Sequence, residues 1–109
     1  MKATSLVFGV SVVAVSLVGT AAFPQSPLKP LYEAKCMACH GATGLANSGI
    51  GKLMKVKPVT DPSVCNMPEA EMIREVREGA GKMEPYKGSL SGAEIKALVD
   101  YFKTFITKN

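Results

Sequence analysis

The chain has 109 residues, 47% hydrophobic and 20% charged, enough for one small domain and too few for a multidomain enzyme. The hydrophobic share excludes a disordered chain. A net charge of +4 suits an acidic partner but falls short of the basic surface that nucleic acid requires, so no nucleic-acid partner is expected.

Much of the apolar content lies at the N-terminus. Lys2 precedes an uncharged stretch from Ala3 to Phe23 that closes on Gly19-Thr20-Ala21-Ala22. A basic start, an apolar middle and small residues at the cut describe a secretory signal peptide over residues 1–22, cleaved after Ala22. The alternative is an uncleaved anchor facing the periplasm, because this stretch is just long enough to span a bilayer. Ser5, Ser11, Ser16 and Thr20 weaken that span, and no cysteine near the cut offers a lipid anchor. The mature domain is then residues 23–109, or 87 residues (109 less 22), with its charge reduced to +3 by the loss of Lys2. A chain this short buries roughly 60–65% of its unfolded surface, so something besides side chains is expected to fill its centre.

Along the mature chain, Pro24, Pro27 and Pro30 mark an extended lead-in, and Pro30 opens a predicted helix from about Pro30 to Cys39. Gly41 to Gly51 reads as a loop. Lys52 to Met67 reads as irregular, because three X-Pro dipeptides block a long helix. Pro68 opens a second helix through Glu78, with Glu69 and Glu71 at its positive end, Ile73 and Val76 inside, and Gly79 as its stop. Ser91 and Glu94 form a capping box for a third helix. Its inner face is Ile95, Leu98, Val99, Phe102, Phe105 and Ile106. No run alternates with period two. The domain is predicted to be all-α, with three or more short helices.

Cys36-Met37-Ala38-Cys39-His40 is a Cys-x-x-Cys-His pentapeptide, the signature of c-type haem attachment. Cysteines three apart on a helical turn face the same way, and each can form a thioether with one haem vinyl group. His40 is then held beneath the iron as proximal ligand. A covalent macrocycle also supplies the staple that the short chain lacks. Two other readings compete. A disulfide or redox pair ordinarily sits in a strand–helix context, and no strand precedes Cys36. Zinc needs about four ligands, which Cys36, Cys39, His40 and Cys65 formally supply.

His40 is the only histidine, so one chain cannot provide two histidine ligands to the same iron. A methionine, a lysine or asparagine, or an open position remains. Met1 leaves with the leader, Met37 lies inside the motif, and Met72 falls within a helix. Met54 and Met67 lie in predicted irregular chain and stay candidates. Met83 is distinguished by its setting, Gly79-Ala80-Gly81-Lys82-Met83-Glu84-Pro85-Tyr86, where Gly and Pro allow and then stiffen a close approach to a flat face. Cys65 is left over in an oxidising compartment, as a half-buried thiol or as a reactive or intermolecular one.

At these motifs the chain resembles class I cytochromes c, in particular small bacterial monohaem carriers, over nearly all of its mature length. The resemblance rests on Tyr32 to Gly41 around the attachment motif, on Gly81-Lys82-Met83-Glu84-Pro85-Tyr86, and on the closing helix from Leu90 to Phe102. It implies helices wrapped around one haem c, with Cys36 and Cys39 as thioethers and His40 and Met83 as axial ligands. It further implies that the first and last helices cross, Tyr32 meeting the Phe102 region. Leu28 stands where the family usually has glycine, so a shorter first helix or a wider crossing is expected. The family's backbone carbonyl to the histidine Nδ1–H falls here on Ile50 or Gly51, and Leu53, Val56, Pro58 and Val59 would line the pocket or serve as ordinary core.

The function expected is that of a monomeric periplasmic one-electron carrier and not an enzyme, docking with donor and acceptor redox proteins. Lys35, Lys52, Lys55, Lys57, Lys82 and Lys87 flank the haem-binding segments and either steer it to an acidic partner or are simply a solvated surface. A haem-based sensor with an open distal site, or a fixed cytochrome subunit of a larger oxidoreductase, are the alternatives.

Overall fold

In a computed structural model, residues 2–3, 9–16, 19 and 27–109 are described. The predicted cleavage after Ala22 lies outside them. Residues 9–16 carry no regular structure, and Val10, Val12, Val13 and Val15 are exposed. Among the described residues no helix is long and apolar enough to cross a membrane.

Six helices follow: α1 (Leu28–Lys35), α2 (Met37–His40), α3 (Gly49–Leu53), α4 (Pro62–Cys65), α5 (Glu69–Glu78) and α6 (Gly92–Lys108). No strand forms among the described residues, only an isolated bridge between Ala80 and Met83, and the fold is all-α.

The predicted first helix is two. α1 starts at Leu28, two residues before Pro30: Pro27 is its N-cap, Leu31 N–H donates to the Pro27 carbonyl, and Pro30 sits within the first turn. There the proline's missing N–H removes no helical bond. At Cys36 the backbone opens to φ −121°, and α2 begins afresh. α1 has eight residues, in keeping with the short first helix expected from Leu28.

The segment expected to be loop and irregular chain folds two further short helices. Ser48 caps α3 by accepting from Gly51 N–H, and Asp61 caps α4 by accepting from Ser63 N–H, with Pro62 in the first turn. Serine and aspartate caps satisfy donors that a helix start otherwise leaves open. α5 starts at Glu69 with Pro68 as its N-cap and stops at Gly79, whose φ of +81° costs glycine nothing. α6 carries the predicted capping box, with both reciprocal bonds made.

The core lies between α1, α6 and the chain around Val59. Tyr32, Val59, Leu90, Ile95, Leu98 and Phe105 are its buried members. Tyr32 meets Tyr101 and Phe105 edge-to-face at 5.2 and 5.4 Å, and its hydroxyl donates to the Gly41 carbonyl at 2.7 Å. Each such aromatic pair contributes about 0.5–1.5 kcal/mol beyond area burial. Phe102 itself turns the other way, toward His40.

α5 is also tied to α6 by charge. The Glu69 carboxylate accepts from Lys96 and Lys103, both at 3.0 Å. These lysines hold its carboxyl down at about 2, against 4.5 ordinarily. A depressed carboxylate adds stability that is complete above the unfolded value and lost as pH falls from there toward 2. Glu69→Gln is therefore expected to flatten the acid limb of Tm against pH in that window. The group is partly exposed, so added salt should shrink the difference.

Candidate functional site

α2 carries the motif. His40 N–H donates to the Cys36 carbonyl at 2.9 Å, which brings the pentapeptide into one turn. Cys36, Cys39 and Cys65 are half-buried free thiols. Burial pushes the Cys36 thiol up to about 11. The four residues of the zinc alternative do not gather: among the described residues no three His, Cys, Asp or Glu side chains form a metal-sized cluster. Cys65 stands apart, at the end of α4.

His40 faces an apolar cleft of about 120 Å³ that opens to solvent. Its walls are Val64, Met67, Met72, Val76, Met83, Leu98, Val99 and Phe102, with Lys57 and Glu75 as the charged exceptions. Phe102 holds the imidazole edge-to-face at 5.2 Å. Burial lowers the His40 pKa below its ordinary 6.5, favouring the neutral ring. Its Nδ1 is sealed from solvent without a hydrogen-bond partner.

One expectation fails here, and of a second only the core alternative is met, by Val59. Neither Ile50 nor Gly51 supplies a carbonyl to Nδ1. α3 has taken both, Ile50 O accepting from Met54 N–H and Gly51 O from Val56 N–H, each at 2.9 Å. Nor do Leu53, Val56, Pro58 and Val59 line the cleft. Val59 is buried in the core at 1% exposure, and Leu53 points outward at 77%. The walls come instead from α4, α5 and α6. The inner face of α6 was legible as apolar, but its periodicity does not say that one face serves both core and cleft.

Met83 reaches the cleft from a turn fixed at both ends. Ala80 and Met83 exchange backbone hydrogen bonds of 3.1 and 2.9 Å, around Gly81 at φ +56°. Beyond the turn, Tyr86 N–H donates to the Val76 carbonyl and Tyr86 OH to the Lys35 carbonyl, both at 3.0 Å. The loop is thus pinned to α5 and to the end of α1 beside the motif. Met54 is not in the cleft; Met67 and Met72 are, and Met72 is 6% exposed in the body of α5.

On the motif side, α3 presses close. A Cβ on Gly51 would lie 2.4 Å from the Cys39 carbonyl oxygen and 2.7 Å from that of Ala46. Neither backbone atom can rotate away. Gly51→Ala is expected to cost about 1–3 kcal/mol as α3 is pushed off α2, read as a fall in Tm.

An imidazole and thioethers facing one apolar cleft, with an adjacent pair of thiols, suit a flat, largely apolar macrocycle carrying a soft metal. The orphaned Nδ1 shows that the ring was buried without a protein partner for that nitrogen, a cost accepted at functional sites more readily than in cores. The residues present fit haem c.

Comparison with known proteins agrees with this fit. The family model described as cytochrome c oxidase, cbb3-type, subunit III matches residues 24–102. The solved structure of the KustC0563 c-type cytochrome superposes with a TM-score of 0.64 at 28% identity, covering 71% of this chain and 94% of that one. No curated protein matches. With the attachment pentapeptide on α2, an all-α fold around an apolar cleft and a family match across the domain, the chain belongs to this family of c-type cytochromes, electron carriers that hold haem c covalently.

Proposed function

We propose that the mature chain is a periplasmic one-electron carrier, not an enzyme, in which Cys36 and Cys39 hold the haem by thioethers and His40 and Met83 are the axial ligands. The observation that carries the reading is the pairing of His40 and Met83 on one apolar cleft, Met83 from a turn pinned on both sides. Bound haem supplies an iron that gains and loses one electron.

The protein's part is to position and to exclude. Phe102 keeps the His40 ring from swinging, and burial keeps it neutral and able to donate a lone pair. The Ala80–Met83 bonds fix the backbone beneath the thioether, so little reorganises between oxidation states. Val64, Val76, Leu98 and Val99 make the cleft apolar, which favours the less charged reduced form, as a thioether ligand also does. The leader motif over residues 1–22 supports export. An optically monitored redox titration of the mature protein should give a single one-electron wave. A two-electron wave, or none, would count against the carrier.

A second reading is favoured by the family description, which names an oxidase subunit. In that case the protein is a fixed subunit, held by an uncleaved N-terminus. Recovery of the full-length chain within a membrane complex, rather than a free chain starting near Phe23, would establish it.

A further inference from the structure

The break at Cys36 leaves a carbonyl without its helical donor. In a continuous helix Cys39 N–H would reach the Lys35 carbonyl, one turn back. Here it turns to the Cys36 carbonyl instead, at 3.3 Å, and among the described residues no backbone N–H takes its place at Lys35. The donor that does comes from the distal loop: Tyr86 OH, 51 residues away along the chain, at 3.0 Å.

The hydroxyl has one proton and two acceptors within reach. Glu84 Oε1 lies at 3.3 Å, so the shorter bond to Lys35 has the stronger claim on it. Burial, with the Glu84 charge second, pushes the hydroxyl up to about 12, and it keeps its proton throughout the neutral range.

The rest of Tyr86 is anchored independently. Its N–H donates to the Val76 carbonyl at 3.0 Å, and its own carbonyl accepts from Ser89 and Leu90 N–H at 3.0 and 2.8 Å. Its ring packs against the main core. Back from Tyr86 to Met83 the chain is short, and Pro85 stiffens it. A Cβ on Gly79 would lie 2.8 Å from the Met83 carbonyl oxygen and 3.1 Å from the Pro85 nitrogen, so this arm already rests on the end of α5. Little slack separates the hydroxyl from the thioether.

We propose that Tyr86 is a positioning residue for the distal ligand: its hydroxyl, bonded to the carbonyl just before the first attachment cysteine, latches the Met83 arm to the attachment segment and keeps Met83 seated in the cleft. This rests on the His40/Met83 reading. The acceptor is free only because α1 and α2 are separate helices, so the distal arm is held by the geometry of the attachment turn itself. With the latch open, Gly79 and Gly81, at φ +81° and +56°, are the points about which the arm swings.

The test uses the mature ferric holoprotein and imidazole, which takes the iron only when the thioether has left it. Tyr86→Phe keeps the ring and removes the hydroxyl. Loss of the one hydrogen bond that closes the arm is expected to raise the imidazole affinity about fivefold at neutral pH, because the open population rises. The weak near-red band of a thioether–iron(III) bond should also fade on warming further below the loss of helix, read by circular dichroism, than it does in the unmutated protein. Tyr32→Phe is the control for a merely structural loss. It removes a hydroxyl bond of the same kind, to the Gly41 carbonyl in the core, and should lower Tm while changing the imidazole affinity less than about twofold. An unchanged affinity in Tyr86→Phe, or an equal rise in both variants, overturns the latch and leaves the carrier reading intact. An unmutated protein without the near-red band overturns the His40/Met83 reading, and the latch with it.

Discussion

Cys36→Ser/Cys39→Ser is expected to abolish covalent haem and, with it, a large part of the domain's stability. The mature chain should otherwise retain haem through acid–acetone extraction and have the mass of residues 23–109 plus one haem. The expected effect is large because of what the cleft removes from the core. A cleft of about 120 Å³ opens beside a core with six buried members in its main cluster, and cavity walls without partner atoms lose their dispersion contacts. At about 24 cal/mol per Å³ that volume left empty costs about 3 kcal/mol, a large share of the 5–15 kcal/mol that holds a typical domain together. Single variants should keep one thioether and show an intermediate Tm. Extractable haem in the unmutated protein, or stoichiometric zinc in its place, would contradict the attachment.

Met83→Ala is expected to remove the weak near-red charge-transfer band that a thioether–iron(III) bond produces, lower the reduction potential and open the iron to added ligands. A soft thioether stabilises the reduced state, and its loss also admits water to an otherwise apolar cleft. The geometry narrows the comparison. Met54 lies outside the cleft, so Met54→Ala should leave the band intact; Met67 and Met72 share the cleft with Met83 and are the informative controls. Met72 is buried in α5, a continuous helix that cannot advance toward His40 without breaking its hydrogen bonds. Met67 lies in the short connection between α4 and α5. A band that survives Met83→Ala and disappears in Met67→Ala would move the distal ligand to Met67.

What the sequence made legible was local. The attachment pentapeptide and the Ser91–Glu94 capping box are set by spacings within one turn. The Gly79 stop and the inner face of α6 follow from φ preference and period. Short capped helices were less visible. Ser48 and Asp61 are ordinary caps, but the turns they open last five and four residues, too few for a period to register. The break at Cys36 was hidden because the residues on either side are good helix formers. The walls of the cleft depend on which long-range face α4, α5 and α6 present to His40, and nothing within any one of those segments encodes that choice. The Ile50 and Gly51 carbonyls were unreadable for a related reason: once α3 forms, its own backbone claims them.

The central claim is that His40 and Met83 would together hold the haem iron, leaving no vacancy for a substrate or gas. It is tested most directly by the optical spectrum of the unmutated ferric holoprotein at neutral pH, followed by exposure of its ferrous form to CO. The His40/Met83 account predicts the near-red band in the first spectrum and no prompt change in the second. Absence of the band together with rapid CO binding would contradict it and assign the cleft to ligand sensing.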